Sequence, residues 1–293
     1  MIRITWQNIK KIKKIKAYRK AYKNWFTVLL SLVILGKAKA ITRDDKKIEG
    51  DVYVISVIPN LLISECCQLV DIAEDLSYIT IELEGKKARV YEWTSILFNL
   101  MTNDYLPLNV KDRSVLDIGA FVGDTTIYFN LRGAKRIVAI EASPWAFQAA
   151  KRNIEANKMS NVTLINCAID KEDGKKLKLP LSKTTGTFSP KRVEGKGDIE
   201  VPTCTLDSII EKYGPFDVLK MDCEGCEYDS IPYSNRLGEF KEILIEYHNG
   251  YDILVKKLKS EGFKLQFSKT EMGKKYYDYP IDEREGLIYA IKQ

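Results

Sequence analysis

The residues of this sequence best suited to chemistry are the acids and glycines around one short turn. An apolar strand at 115–118 carries Asp117 and runs into a turn that contains Gly119 and Gly123. A second apolar strand follows and ends on Glu141, 18 residues after Gly123. In an open α/β sheet, such a turn brings backbone N–H groups close to a ligand, and the acid at the next strand end accepts hydrogen bonds from ribose hydroxyls. The spacing therefore predicts a site for an adenosine-containing cofactor.

The charges of the turn distinguish two classes of cofactor. A dinucleotide-binding turn reads Gly-x-Gly-x-x-Gly, so that a pyrophosphate can lie at the helix N-terminus. Here only Gly119 and Gly123 are present, and the carboxylates of Asp117 and Asp124 would repel a pyrophosphate. They suit S-adenosylmethionine, which carries a sulfonium and an ammonium and whose usual turn is Asp/Glu-x-Gly-x-Gly-x-Gly, with Phe121 here at the middle glycine. An ordinary buried strand–helix turn is the alternative.

The next strand ends should complete the cofactor site. Apolar segments at 134–140 and 161–167 flank a strong helix at 144–158, in the order of a doubly wound sheet. Because the ligand crosses the carboxyl ends of the first three strands, residues 166–168 should border the adenine, although an ordinary strand end explains Asn166 equally well. The predicted cofactor-binding residues are Asp117, Gly119, Ala120, Gly123, Asp124, Thr125, Glu141, Ala142, Asn166, Cys167, Ala168 and Asp222.

A second cluster of acids follows the fourth predicted strand. Residues 220–227 read Lys-Met-Asp-Cys-Glu-Gly-Cys-Glu, and the fifth strand carries Glu246 and then His248, the sole histidine, on one face. We expect catalysis from His248, Asp222, Glu224 and Glu246. His248 is the first choice as general base, because the reference pKa of imidazole lies near neutrality, and Asp222 is the alternative. A structural role explains a sole histidine equally well.

Cysteine and ligand spacing bear on metals and on the compartment. Six cysteines in 293 residues do not form a disulfide framework, and we expect free thiols in a reducing cytoplasm. Cys223-x-x-Cys226 lacks a second pair, so a structural zinc is weakly supported and a thioredoxin-like site is weaker still. A hard divalent cation on Asp222, Glu224 and Glu246 is chemically plausible, but no metal ligands are predicted.

Charge and periodicity divide the chain into three predicted parts. Residues 1–40 hold eleven Lys and Arg and no acid, with apolar residues at three- and four-residue spacing, which predicts a basic amphipathic helix. Residues 41–110 should form a small α+β lead-in, and 111–293 the cofactor-binding domain with a hairpin insertion at 171–202. The insertion either closes over substrate or is a solvated loop.

The arm and the lead-in carry further expectations. The arm either packs on the protein or contacts an anionic surface, lipid or RNA, and an oligomer is also compatible with it. Its apolar run at 26–35 is about half the roughly 20 residues that span a bilayer. In the lead-in, alternation predicts a strand at 51–58, and Ser64 is the expected cap of a helix at 64–76.

Six segments together resemble the FkbM family of S-adenosylmethionine-dependent methyltransferases. They are Asp117–Thr125, Glu141–Pro144, Asn166–Ala168, Leu206–Ser208, Lys220–Glu227 and Ile245–His248. The most specific mark is Lys-x-Asp-x-Glu-Gly-x-Glu. The resemblance implies a class I methyltransferase with a Rossmann-like, doubly wound sheet of seven strands, the last pair antiparallel, and O-methylation, commonly of sugar or natural-product hydroxyls. Two features depart from the family pattern: Phe121, where many members have Asn, and the long basic arm.

Together these observations predict an S-adenosylmethionine-dependent O-methyltransferase, EC 2.1.1 in type, for a hydroxyl of a sugar, glycan or other small molecule. One alternative is an RNA methyltransferase that holds phosphates with the basic arm, although the rest of the chain is mildly acidic. The other is a non-catalytic, membrane-associated scaffold. A cytoplasmic location is expected, with peripheral membrane contact open.

Overall fold

The chain folds into two compact units, residues 1–102 and 103–293. The computed structural model describes residues 15–34, 36–62, 64, 67–95, 104–179, 199–269 and 276–292. No helix among these residues is long and apolar enough to cross a membrane. The predicted arm, residues 1–40, falls within the first unit.

In the first unit, two short helices precede a two-stranded hairpin, a third helix and a three-stranded meander. The elements are α1 (residues 15–21), α2 (Trp25–Ile34), β1 (Lys37–Ile41), β2 (Lys47–Asp51), α3 (Val52–Leu61), β3 (Gln68–Ile72), β4 (Tyr78–Leu83) and β5 (Lys86–Tyr91). All the pairings in both sheets are antiparallel. Alternate residues of β4 and β5 are buried, so the meander packs one face into the core.

The basic arm is not the single helix that the periodicity predicts. The helical residues 15–21 end before Tyr22, whose backbone bridges to Thr42, and a second helix begins at Trp25. Tyr22 is fully buried and donates its hydroxyl to the carbonyl of Ile55 at 2.8 Å. This anchor to the rest of the unit breaks the helical run, because the Tyr22 backbone joins a strand pairing instead. The beginning of the arm lies outside the described residues.

The predicted strand at 51–58 is wrong, because most of this segment is helix α3. The Asp51 carboxylate accepts the N–H of Tyr53 at 2.7 Å and caps the helix. Ile55, Ile58 and Leu61 are buried at helical spacing. Packing of this face outweighs the β preference of the branched residues, a preference that depends strongly on context.

The predicted helix at 64–76 is also wrong. Its described part contains β3, which pairs antiparallel with β4 through a bulge between Leu69 and Asp71. Ser64 therefore caps no helix of the predicted extent. The partners of β3 are on β4, which lies outside residues 64–76. The apolar spacing within 64–76 alone therefore favours a helix.

The second unit is built around the predicted seven-stranded sheet. Its elements are β6 (Ser114–Ile118), α4 (Asp124–Leu131), β7 (Arg136–Ile140), α5 (Pro144–Ala156), β8 (Val162–Ile165), β9 (Ala168–Ile169), β10 (Lys176–Leu179), β11 (Ile199–Cys204), α6 (Leu206–Tyr213), β12 (Val218–Met221), α7 (Glu227–Ser230), β13 (Glu242–Tyr247), α8 (Asp252–Ser260), β14 (Lys264–Ser268) and β15 (Gly286–Ile291). The strand order is β14-β15-β13-β12-β6-β7-β8. Strand β15 runs antiparallel to both of its neighbours, β13 and β14, and the other pairings in this sheet are parallel. The prediction of a Rossmann-like, doubly wound sheet is confirmed.

The parallel strands bring their carboxyl ends to one edge of this sheet. Strand β12 is buried at every position, and β6 at every position after Ser114, as expected for strands covered on both faces. Helix α5 starts as predicted, with Ser143 as N-cap and Pro144 in its first turn. The residues that follow β6, β7, β8, β12 and β13 are those singled out from the sequence.

A small second sheet stands beside the main one. Strands β10 and β11 pair antiparallel, and β11 continues into a parallel pairing with β9. The antiparallel pair lies where the hairpin insertion is predicted. Its predicted tip, around 184–196, lies outside the described residues.

Candidate active site

Gly119 lets the turn after β6 approach the end of β12. Its φ is +75°, a left-handed conformation that favours glycine. A Cβ atom here would lie 1.6 Å from the backbone oxygen of Asp222. The N–H groups of Gly119 and Ala120 both donate to the carbonyl of Ile140 at 3.0 Å. These amides therefore tie β6 to β7 and are not left facing a ligand, which differs from the sequence-based expectation.

Asp117 lies beneath the turn and is fully buried. Its Oδ2 accepts hydrogen bonds from the hydroxyls of Thr125 and Thr126, each at 2.7 Å. Its Oδ1 lies 3.3 Å from Nζ of the equally buried Lys220. Lys220 also donates to the carbonyl of Gly119 at 2.7 Å. The structure thus gives Asp117 and Thr125 a role in positioning the turn, and their contact with a cofactor stays a prediction.

Glu141 ends β7 and is almost completely buried. One carboxylate oxygen accepts the N–H of Phe121 at 2.8 Å and the other accepts the N–H of Ser143 at 2.7 Å. Burial raises the pKa of Glu141 to about 7, although these two hydrogen bonds oppose the shift. Asn166 donates its side-chain amide to the carbonyls of Glu141 and Ala142. Asn166 therefore braces the end of β7.

A cavity of about 580 Å³ opens at the carboxyl ends of the strands. Six predicted residues line it: Gly119, Ala142, Cys167, Ala168, Glu224 and His248. Leu177 and Leu179 of β10 also border it, which the sequence did not specify. The cavity wall thus contains four of the predicted cofactor residues and two of the predicted catalytic ones. Asp124 is buried at the start of α4, and neither it nor Gly123 lies in the cavity wall.

His248 lies at the centre of the predicted catalytic cluster. Its Nε2 is 3.8 Å from Asp222, 3.7 Å from Glu224 and 3.9 Å from Glu246, measured to the nearest carboxylate oxygens. Its Nδ1 is 2.9 Å from Oε1 of Glu227. Asp222 also accepts the hydroxyl of Tyr105 at 3.1 Å. The structure thus brings together all four predicted catalytic residues.

The carboxylates change the protonation of the histidine and of one another. Burial alone would lower the pKa of His248, but its hydrogen bond to Glu227 and the charges of Glu227, Asp222 and Glu224 raise it to about 9. Burial and the charge of Asp222 raise the pKa of Glu246, and they raise that of Glu224 to about 7. A pKa in this range favours the protonated imidazolium of His248 at neutral pH. This differs from the near-neutral pKa expected from the sequence.

The cluster also has the donor atoms of a cation site. One ligand atom each from Asp222, Glu224 and His248 lie within 4.8 Å of one another. Carboxylate oxygen and imidazole nitrogen are common ligands of divalent cations. A third acid, Glu246, has a carboxylate oxygen 3.9 Å from Nε2 of His248.

Cys223 and Cys226 form a disulfide, so the prediction of free thiols is wrong for this pair. Their Cα atoms are 5.5 Å apart, a usual separation for bonded cysteines. Glu224 and Gly225 between them have positive φ angles of 56° and 120°, and this tight turn brings the two cysteines together. Cys167 and Cys204 carry free thiols.

Glu227 also belongs to the site, although it is not among the residues predicted from the sequence. It is fully buried, and its second oxygen accepts the N–H of Gly225 at 2.8 Å. Its place as the final acid of Lys-x-Asp-x-Glu-Gly-x-Glu was the available signal. Asn249 and Glu285, which line the cavity, carried no motif that could have identified them.

Comparison with known proteins gives the fold and site a family. A family model for the methyltransferase FkbM domain matches residues 117–265, just over half of the chain. Protein 158B of Sulfolobus islandicus rod-shaped virus 1 is 28% identical over 156 residues, covering 52% of this chain and 73% of that protein.

Two solved structures of methyltransferases are also similar to this chain. The methyltransferase FkbM of Methylobacillus flagellatus KT is 13% identical with a TM-score of 0.43, over 97% of this chain and 60% of that one. Fibrillarin of Aeropyrum pernix, solved with natively bound S-adenosyl-L-methionine, is 14% identical with a TM-score of 0.42, over 88% of this chain and 94% of that one. On the match of the family model, which runs from Asp117 at the end of β6 to Leu265 in β14, this chain belongs to the FkbM family of methyltransferases.

Proposed function

We propose that this protein transfers the methyl group of S-adenosylmethionine to a hydroxyl of a sugar, a glycan or another small molecule. The observation that carries the proposal is the single cavity that joins the β6, β7 and β8 strand ends to His248 and Glu224. Its volume of about 580 Å³ falls within the range of small-ligand sites. A cavity of this size has room for a cofactor.

The residues present fit S-adenosylmethionine. Glu141 is not itself in the cavity wall, but its chain neighbours Ile140 and Ala142 both are. Each of its oxygens has one recorded N–H partner, so further lone pairs remain for ribose hydroxyls. Ile118 and Ile169 supply apolar wall, as an adenine ring requires. When bound, the cofactor supplies an electrophilic methyl group on a positively charged sulfur.

The catalytic cluster would take up the proton that the acceptor hydroxyl loses. Nδ1 of His248 lies against Glu227, so the neutral imidazole would present Nε2 to the cavity as a base. Because its pKa is near 9 in the free protein, His248 must first lose its own proton. Positive charge beside the cluster favours that loss, because it offsets the carboxylates that hold the proton. Asp222 is the alternative base.

A small, uncharged or cationic acceptor suits the site better than RNA does. Asp222, Glu224 and Glu246 surround the expected place of transfer, where a chain of phosphates would meet like charge. Orientation of the acceptor next to the methyl group supplies much of the rate in such transfers. The same reasoning disfavours the RNA alternative, while the scaffold alternative predicts no turnover.

The test is methyl transfer from labelled S-adenosylmethionine to a panel of free sugars, glycans and lipid-linked sugars. The proposal expects alkali-stable label in at least one hydroxyl acceptor and none in transfer RNA. Label confined to RNA would establish the first alternative. Cofactor binding without transfer to any acceptor in the panel, or to RNA, would favour the alternative of a non-catalytic scaffold.

A further inference from the structure

The first helices of the chain carry two different surfaces side by side. On α1, Ala17, Tyr18 and Ala21 are buried, whereas Lys16 and Lys20 are exposed. The buried face fixes the helix to the unit and leaves the basic face to solvent. Arg3, Lys10, Lys11, Lys13 and Lys14 precede this helix in the sequence.

Helix α2 carries the second surface, which is apolar. Its ten residues include no charged side chain. Val28 is fully buried, but Phe26 is 61% exposed and Leu30 is 47% exposed. Residues four apart lie on the same face of a helix, so Phe26 and Leu30 form one apolar ridge.

The two surfaces are joined where the helices meet. The Arg19 guanidinium lies 5.8 Å from the ring centre of Trp25, the first residue of α2. Arg19 is exposed, so its charge lies at the junction of the basic face and the apolar helix. Aromatic and aliphatic side chains beside lysine and arginine are typical of helices that lie in the interface of an anionic bilayer.

The combination distinguishes lipid from nucleic acid. Phosphates of RNA and of lipid headgroups would both attract the basic face. Of these two partners, only lipid would take the apolar ridge out of water, because contacts with phosphates would leave Leu30 exposed. With ten residues, α2 is too short to span a bilayer, which needs about 20, so it would lie along the surface.

We infer that α1 and α2 form a docking surface for an anionic membrane, with Phe26 and Leu30 inserted and Lys16, Arg19 and Lys20 at the headgroups. This surface belongs to the first unit, and the proposed catalytic cavity belongs to the second. It would bring the enzyme to acceptors that are themselves held in a membrane.

The test is flotation of the full-length protein with vesicles of phosphatidylcholine alone or mixed with phosphatidylglycerol. Binding is expected only to the mixed vesicles and should weaken as salt is raised. The variants Phe26→Ser/Leu30→Ser and Lys16→Glu/Lys20→Glu should each bind at least about tenfold more weakly. Circular dichroism should show both folded.

Matched controls carry the same changes elsewhere in the first unit. Tyr53→Ser/Val70→Ser removes two side chains that are 54% and 45% exposed, and Lys86→Glu/Lys87→Glu reverses two charges on β5; both should bind like wild type. Absence of flotation with either vesicle would overturn the inference. So would binding that the α1 and α2 variants leave unchanged, or retention on RNA in place of vesicles.

Discussion

Glu141 and His248 are the residues on which the proposed chemistry depends most, and surroundings shift the pKa of both. Burial raises the pKa of Glu141 to about 7, so half of its charge is lost near neutrality. The carboxylates around His248 raise its pKa to about 9. The two sites should therefore respond to pH in different ranges.

Affinity for S-adenosylmethionine should fall as pH drops through 7. An acid with a raised pKa is ionised above that pKa and neutral below it, so the charged acceptor for ribose is lost on the acidic side. Calorimetry at pH 8 and pH 6 should show a loss of about three- to tenfold. Glu141→Gln should bind at least about tenfold more weakly at pH 8, because a charged hydrogen bond is worth about 1.5–3 kcal/mol.

The glutamine variant should also lose the pH dependence, because an amide does not titrate. Glu155→Gln, on the exposed side of α5, should keep both affinity and pH dependence. An unchanged pH profile in Glu141→Gln would assign the titration to another group.

His248→Ala should keep its cofactor affinity while turnover falls by about 10²-fold or more, because a positioned base contributes that much. Near-normal turnover on the true acceptor would remove the base role. The companion variant is Glu227→Gln. It should shift the pH–rate profile to lower pH, because Glu227 is the main group that raises the pKa of His248. A profile that does not move would show that Glu227 only supports the turn.

At this scale the sequence identified the acids but not their arrangement. Asp222, Glu224, Glu246 and His248 could be found because strand ends in a parallel sheet share an edge. The hydrogen bond from His248 to Glu227 could not, because it depends on the tight turn at Glu224 and Gly225. The disulfide of the neighbouring cysteines depends on the same turn.

At the scale of elements, the close approach of the β6 turn to the end of β12 holds the site together. Gly119→Ala should destabilise the protein by at least about 2 kcal/mol more than Gly174→Ala does. Both glycines have nearly the same φ, +75° and +72°, but a Cβ at Gly174 meets nothing within 4 Å. Denaturant unfolding of the two variants measures the difference. Equal stability would mean that β12 yields easily to the added methyl group.

The elements differ in how far sequence alone predicts them. The run from β6 to α5 follows its local signals, because mostly apolar strands, a glycine turn and a capped helix all agree. Residues 51–58 carry conflicting signals: branched residues favour a strand, while the Asp51 cap and the buried spacing favour α3. Strand β3 is stabilised by pairing with β4, and the residues of β3 alone do not indicate that pairing.

At the scale of the whole molecule, the described cavity lies entirely within the second unit. Bound S-adenosylmethionine should slow amide hydrogen exchange around Gly119, Ala142 and Ala168. It should leave the β3–β5 meander of the first unit unchanged, because ligand stabilisation acts first on the elements that contact the ligand. Protection of the meander in place of the strand ends would contradict the assigned cavity.

The measurement that tests the central claim most directly is calorimetric titration of S-adenosylmethionine into the full-length protein, with NAD as the control. Saturable binding in the micromolar range, a free energy of about −8 kcal/mol, is expected for S-adenosylmethionine alone. Binding of NAD in its place would contradict the interpretation of the acidic turn. Binding of neither would leave the cavity without its proposed cofactor.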